Sequence, residues 1–302
     1  MESATLCPFE AASGLYPFRN TYDDRFQYRV KAQPVAGQIE FSIRPVDTRL
    51  AAMAAQREWM GFPKRITPVD QARREEYTFR SHQRAKSRIK LLCMEMGVDR
   101  MFTYTIRLVD GVPIGYDDLI AAWDYYRRAV ARYDKSFRYV AVPEKQKSGQ
   151  WHVHAGIAGY ANIVVHRRLW QSALNHVLKR DKSLTSKGDS PGTVNVPPHR
   201  EYHGSRVSKA KKISCYVSKY VSKSLETEFN RKSYFQTHGV KVTPAQAQWL
   251  ESQTRDQAVR EVLDAYGLLD DLGVPMVSIW NRDSCSAWFS VPQSSIGPPP
   301  PF

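Results

Sequence analysis

The stretch FRYVAVPEKQKSGQWHVHAGIA, residues 137–158, decides how the middle of this chain folds. Its two ends, Phe137–Pro143 and Trp151–Ala158, are short and rich in apolar, β-branched and aromatic residues, which predicts two strands. Between them, Lys147-Ser148-Gly149 has the length of a three-residue hairpin loop, with Gly149 at the position that needs a left-handed backbone. The stretch therefore predicts an antiparallel β-hairpin.

Strand and helix patterns alternate on both sides of this hairpin. Period-two alternation predicts strands, whereas apolar residues at helical spacing, opened by Thr-Pro or closed by Gly, predict helices. Antiparallel strands with helices around them indicate an α+β fold with a central antiparallel sheet flanked by helices. The further predicted strands are Met101–Arg107 and Thr193–Val196, and the predicted helices are Asp47–Met60, Thr67-Pro68 to Gly97, Tyr116–Tyr133, Arg167–Lys179, Arg206–Leu225 and Thr243-Pro244 to Tyr266.

The charge of the chain indicates a polyanionic partner. The 302 residues include 44 Lys+Arg and 30 Asp+Glu, a net charge of +14. Residues 246–302 carry three Arg against seven acidic residues, 3 − 7 = −4, so residues 1–245 carry +18. This balance excludes an acidic disordered protein and favours nucleic acid binding. The densest basic stretches are residues 71–90 and 200–224.

Neither a membrane span nor a secretion signal is expected. No apolar run approaches the roughly 18 residues that a spanning helix needs. The start, Met1-Glu2-Ser3, has neither the basic nor the apolar region of a signal peptide. We therefore expect a soluble cytoplasmic protein.

The second strand of the hairpin carries two histidines on one face. Because side chains alternate along a strand, His152 and His154 project from the same side, where they can share one metal ion. If residue 144 lies opposite residue 152, Glu144 falls on that face too and completes a two-His-one-carboxylate site with open coordination positions. The same histidines would also suit a structural, hydrogen-bonded pair.

The predicted helix Arg206–Leu225 carries two tyrosines one turn apart. Tyr216 and Tyr220 lie at the border between an apolar stripe and a basic face, and their i,i+4 spacing makes them neighbours. Without other functional groups nearby, two such rings would suit packing at the rim of a core. The apolar stripe consists of Val207, Ala210, Ile213, Val217, Val221 and Leu225.

Tyrosines, lysines and a metal together permit phosphoryl transfer. A tyrosine hydroxyl titrates near ~10, so it becomes a nucleophile at neutral pH when cations favour the phenolate or when a metal activates the electrophile. Lys219 and Lys223 can favour the phenolate, and a metal can withdraw charge from a scissile phosphate. With two tyrosines, one can cleave a strand while the other attacks a later junction.

Three motifs stand in the order that is found in the HUH endonucleases. They are the strand Phe102-Thr103-Tyr104-Thr105, the strand His152-Val153-His154 and the helix from Tyr216 to Lys223, with the pattern YxxKYxxK. Over about residues 98–242, the chain most resembles the two-tyrosine rolling-circle replication initiators of single-stranded DNA phages and some plasmids. The segment Tyr234 to Gly239 is similar to the aromatic-rich segment that often follows the tyrosine helix there.

The resemblance implies a Mg²⁺- or Mn²⁺-dependent enzyme that nicks and rejoins single-stranded or extruded origin DNA through a covalent 5′-phosphotyrosine. It implies a host helicase and polymerase as partners and the bacterial cytoplasm as location. The chain has no GxxxxGK[ST] motif for ATP. By this resemblance the metal ligands are His152, His154 and, as a third ligand, Glu144, the nucleophiles are Tyr216 and Tyr220, and the lysines of the tyrosine motif are Lys219 and Lys223.

The expected organisation follows from this range. Residues 1–97 form an N-terminal arm with accessory helices, residues 98–242 form the nuclease domain, and residues 243–302 form a C-terminal helix and a disordered Pro-rich tail. Deletion of residues 1–97 is expected to weaken origin binding more than cleavage of a short single strand.

Three other functions fit parts of the pattern. A transposase or relaxase of the same superfamily would keep the chemistry. A non-catalytic DNA-binding protein would use the basic helix and keep the histidines as structural groups, and it would form no covalent DNA product. A zinc hydrolase using His152, His154 and Glu144 would have no use for the tyrosines.

Overall fold

The computed structural model describes most of the chain. The described ranges are 26–60, 71–107, 114–159, 162–178, 190–196, 206–223, 233–268, 277–281 and 285–296. The expected Pro-rich tail and residues 1–25 of the N-terminal arm lie outside them. Within them, no helix combines the length and the apolar character needed to cross a membrane.

The described part of the chain contains helices and antiparallel strands, which confirms the expected α+β fold. The strands are β1 (Phe26–Val35), β2 (Gln38–Asp47), β3 (Arg100–Ile106), β4 (Arg138–Lys145), β5 (Trp151–Ala158), β6 (Gly192–Asn195), β7 (Phe235–Gln236), β8 (Gln246–Trp249), β9 (Val277–Asn281) and β10 (Ser286–Pro292). The helices are α1 (Thr48–Trp59), α2 (Gln71–Met96), α3 (Tyr116–Tyr133), α4 (Ile163–Val177), α5 (Arg206–Lys223) and α6 (Arg255–Ala265), followed by a 3₁₀ turn at Gln293–Ser295.

The contacts divide the chain into two compact units, one of residues 69–242 and one of residues 1–68 with 243–302. These units differ from the ranges expected from sequence, because α2 packs within the first unit. Its residues Ile89, Leu92 and Cys93 are fully buried there. Deleting residues 1–97 would therefore remove part of this core, so the effect of the basic stretch 71–90 on DNA binding has to be tested by surface substitutions on α2.

The unit of residues 69–242 is built on an antiparallel sheet with the strand order β6-β3-β5-β4-β7. The predicted hairpin is confirmed, with β4 paired to β5. Its loop has Gly149 at φ 83°, the left-handed conformation expected there. Helices α3 and α4 pack on one face of the sheet, and α2 and α5 pack on the other.

Aromatic rings fill the face under α3 and α4. Trp123, Trp170 and Tyr104 are at most 2% exposed and meet edge to face. Trp151 also belongs to this core, against Tyr116. Trp151 and Trp170 are therefore core residues.

A buried polar chain runs through this aromatic core. The Tyr104 and Tyr126 hydroxyls are 2.6 Å apart, and the Tyr126 hydroxyl also contacts Nδ1 of His166. Burial raises the pKa of both hydroxyls, so both can donate. Burial also lowers the pKa of His166 to about 4, and Asp134 opposes this shift. His166 is therefore neutral in the folded protein.

Replacing His166 with glutamine is expected to make the free energy of unfolding fall less steeply as the pH is lowered. In the unfolded chain His166 titrates near 6.5, against about 4 when folded. Above pH 6.5 His166 is neutral in both states and does not lower the free energy of unfolding. As the pH falls from 7 to 5, the unfolded chain takes up a proton that the folded protein does not, which lowers the free energy of unfolding by about 2 kcal/mol. Urea unfolding at both pH values measures this difference. The exposed His176 provides the control His176→Gln, and an unchanged pH dependence in His166→Gln would contradict the assignment.

The second unit is a sheet made from both ends of the chain. Its strand order is β8-β1-β2-β10-β9, and β2 pairs with β1 on one side and β10 on the other. Its core joins Phe41, Ile43 and Phe289 with the apolar face of α6. The sequence analysis assigned no strands to β1 and β2, so this hairpin is a finding of the structure, although Tyr28, Val30 and Ala32 alternate with polar residues as a half-buried strand requires.

The predicted last helix is wrong over its first half. Residues 246–249 form β8, which pairs with Arg29–Ala32 of β1, and α6 begins only at Arg255. The cap of this helix is Thr254, whose side chain accepts from the Gln257 N–H. Thr243-Pro244 has the residue types of a helix start, but pairing with β1 overrides that local preference.

Candidate active site

The predicted site residues of the sheet lie on the face that α2 and α5 cover. Glu144 pairs with His152 across the hairpin, which is the register that the carboxylate position depends on. Thr103 pairs with His154 from the other side. The alternate residues of β5, Val153 and Ala155, belong to the opposite core, as period-two alternation requires.

His154 is the buried centre of this group. It is 5% exposed, and its Nε2 lies 2.8 Å from Oε2 of Glu144. Its Nδ1 lies 3.3 Å from the Thr103 hydroxyl. The ring is therefore held from both nitrogens.

His152 lies beside His154, with 6.2 Å between ring centroids. Its Nδ1 lies 3.1 Å from the side-chain amide of Gln146. Burial lowers the pKa of His152, and the Glu144 carboxylate opposes part of that shift. The neutral imidazole is thus favoured, which is the form that ligates a metal.

The donor set fits a divalent cation in its chemistry. Imidazole nitrogens and a carboxylate oxygen are ligands that a divalent cation would take, and His152, His154 and Glu144 would supply them. The Thr103 hydroxyl can accept from Nδ1–H of His154, which leaves Nε2 of that ring as the ligand atom, whereas the Gln146 side-chain N–H donates to Nδ1 of His152. Among the described residues, however, no group of three His, Cys, Asp or Glu side chains converges closely enough to hold a metal. His154 and Glu144 lie within hydrogen-bond distance of each other, and the ring centroid of His152 lies 6.2 Å from that of His154.

Helix α5 lies against this face through its apolar stripe. Ala210, Ile213, Val217 and Val221 are at most 1% exposed, which confirms the stripe wherever its side chains are described. Gly156 of β5 permits the close approach, since an added Cβ would lie 3.0 Å from Val98 and 3.4 Å from Ile213.

This packing brings the two tyrosines over the histidines. The ring of Tyr220 stacks on His154, with 3.5 Å between centroids and 8° between planes. The Tyr220 hydroxyl donates to the Tyr216 hydroxyl at 2.9 Å. Tyr220 is 8% exposed and Tyr216 is 37% exposed, so the outer ring is open to a partner. The border position predicted for both rings is confirmed.

The predicted lysines are placed in part. Nζ of Lys219 lies over the Tyr216 ring, 5.6 Å from its centroid, which is cation–π geometry. Lys219 is exposed, so it can also reach a phosphate. The side chain of Lys223 lies outside the described residues.

Sequence reasoning gave no role to two residues that hold the histidine rings. Thr103 and Gln146 each bond to an Nδ1. Both could have been found from period two, because Thr103 is on the polar face of β3 and Gln146 is two residues beyond Glu144. What the pattern lacks is the direction of each side chain.

Comparison with known protein families gives a match over part of the chain. Residues 99–225 match the family model of the replication-associated protein ORF2. The match runs from the residue before β3 to just beyond α5, and it includes every predicted metal ligand and nucleophile. It supports a role in DNA replication for this part of the chain. No curated protein and no solved structure matches the chain.

Proposed function

We propose that this protein initiates rolling-circle DNA replication by nicking and rejoining one strand of origin DNA through a tyrosine. The observation that carries the proposal is the stacking of Tyr220 on His154, with the Tyr216 hydroxyl within hydrogen-bond distance of Tyr220. Two candidate nucleophiles thereby lie beside the candidate metal ligands. The match to a replication-associated family supports the biological setting.

The chemistry needs one bond exchange for each strand cut. A tyrosine oxygen attacks the scissile phosphorus, the P–O3′ bond breaks, and the proton that the phenol gives up is balanced by protonation of the released 3′ oxygen. The 5′ phosphate stays on the tyrosine and the 3′ hydroxyl primes synthesis. The second tyrosine can repeat the exchange at the next junction, which frees the 3′ hydroxyl of the displaced strand. That hydroxyl attacks the phosphorus of the first phosphotyrosine, the P–O bond to the tyrosine breaks, the tyrosine oxygen regains a proton, and a circle is released.

A divalent metal, Mg²⁺ or Mn²⁺, would supply charge withdrawal from the phosphate when held by His152, His154 and Glu144. Lys219, with Lys223 by its place in the motif, would hold the DNA backbone beside the tyrosines. Because the phosphotyrosine conserves the energy of the cut bond, joining needs no ATP. A helicase and a polymerase would come from the bacterial host, in whose cytoplasm the protein would act.

The test is covalent trapping on labelled origin DNA. Single-stranded oligonucleotides spanning candidate origins, labelled at the 5′ or the 3′ end, are incubated with the protein in Mn²⁺ or in EDTA and resolved on a denaturing gel. A metal-dependent adduct that carries only the 3′ label is expected. Binding without any adduct at any candidate origin would overturn the proposal.

A non-catalytic DNA-binding protein is the second candidate. It is favoured by the direct contact between His154 and Glu144, which is what a structural pair would make. This function predicts salt-dependent binding and no covalent product, so the same gel separates the two candidates.

A further inference from the structure

A groove at the β7 edge of the first unit lies apart from the tyrosines. It encloses about 1010 Å³, at the upper end of the volumes that hold single small molecules. One wall is α2, the other is α3, and the floor is the segment from Ser233 to His238 at the sheet edge. Tyr139 also lines it and lies five residues before Glu144 on β4, on the order of 17 Å along the strand.

The α2 wall is basic. Ser81, Arg84 and Arg88 line it at helical spacing, and the same face continues to Tyr77, which is 56% exposed. Both arginines are accessible to solvent. On the opposite wall Arg127 is paired with Asp124, so the cations of α2 dominate one side.

The floor is aromatic and firmly attached. Tyr234 and Phe235 are half-buried, and Phe235 stacks on Trp123. Thr237 fixes the segment by two bonds to Tyr139, one from its N–H to the carbonyl at 3.0 Å and one from the Tyr139 N–H to its hydroxyl at 2.9 Å. The rings are therefore presented by a fixed edge.

From this arrangement we infer a second binding site, in which the groove holds a segment of single-stranded nucleic acid with its phosphates along Arg84 and Arg88 and its bases against Tyr234 and Phe235. Cations on one side and aromatic rings on the other are the two components of single-strand binding. A duplex cannot use the rings, because its bases are already stacked. The inference rests on the proposed function in one respect, namely that the bound single strand is DNA.

Removing the groove arginines tests the phosphate contacts. The full-length variant R84Q/R88Q should bind a fluorescein-labelled dT30 oligonucleotide more weakly than the wild type, and the slope of log K against log salt should fall by about 1.4 for two phosphate contacts. The matched control is R132Q/K135Q, which removes two exposed charges outside the groove. Fluorescence anisotropy from 50 to 300 mM salt measures both. Equal slopes in the two double variants would overturn the inference.

Replacing Tyr234 tests the stacking contact. Y234L keeps apolar volume but loses the ring face, so it should weaken dT30 binding roughly tenfold, leaving binding to a 30-base-pair duplex unchanged. Photocrosslinking of a 5-iodouracil oligonucleotide, mapped by mass spectrometry, should label the floor segment. Tighter binding of the wild-type protein to the duplex than to dT30 would overturn the inference. Crosslinks found only outside the floor segment would also overturn it. Since dT30 binding requires no cleavage, these results stand apart from the covalent trapping test.

Discussion

Replacing both Tyr216 and Tyr220 with phenylalanine is expected to lower covalent adduct formation on origin DNA by at least about a thousandfold, because no other described side chain would take over the attack. Stacking on His154 and packing of α5 depend on rings that phenylalanine keeps, so the double variant should fold and bind DNA as the wild type does. Denaturing gels quantify the adduct, and anisotropy quantifies the binding.

The single variants separate the roles of the two hydroxyls. Either one should retain an adduct, since the remaining hydroxyl lies on the same helix one turn away, yet circle formation should be lost because two successive attacks are needed. Tyr133→Phe, on an exposed ring of α3, is the matched control and should be normal in both assays. Adduct formation by the double variant at the wild-type rate would exclude these tyrosines as nucleophiles.

Replacing His154 with glutamine is expected to weaken Mn²⁺ binding by the free protein at least about tenfold. The reason is that loss of a ligand should cost no less than loss of a residue that orients one, for which the range is about 10–100-fold. His152→Gln should act in the same direction. Titration calorimetry or electron paramagnetic resonance of Mn²⁺ measures the affinity for Mn²⁺ without DNA. The adduct yield should fall in parallel.

Two further variants define what this result means. His176→Gln changes an exposed histidine that stacks on Tyr125, and it should leave Mn²⁺ affinity and adduct yield unchanged. Gln146→Leu should weaken Mn²⁺ binding less than His152→Gln, because Gln146 only orients the ring. Unchanged Mn²⁺ affinity in both site histidine variants would show that His152 and His154 are structural.

Elements with strong local patterns could be predicted from sequence, whereas those that depend on distant pairing could not. Helix α3 begins and ends at the residues expected, Tyr116 and Tyr133, because its apolar face is regular. Strand β8 was mistaken for helix, and the β1–β2 hairpin went unassigned. The partner of β8 is β1, far along the chain, and no local window around β8 contains that information. The strands β1 and β2 pair with each other across Ala36-Gly37, so this hairpin is local, and its alternation of apolar and polar residues does predict strands.

The candidate site shows the same limit. Alternation along β5 was enough to place His152 and His154 on one face, and helical spacing was enough to make Tyr216 and Tyr220 neighbours. The stacking of Tyr220 on His154 required the packing of α5 on the sheet, which depends on Gly156 and on a buried stripe. Spacing within one element could not show which surface that element covers.

The sheet assembled from both ends of the chain has a consequence for synthesis. Ile43 of β2 pairs with Ala287 of β10, 287 − 43 = 244 residues later. At ~5–20 residues per second, a ribosome needs roughly 12–50 s to deliver that partner. The strands of residues 69–242 are all made earlier, so this unit can fold on the nascent chain while one edge of β2 waits unpaired. A transcript truncated before codon 286 would yield chains that keep this open edge, a known template for aggregation.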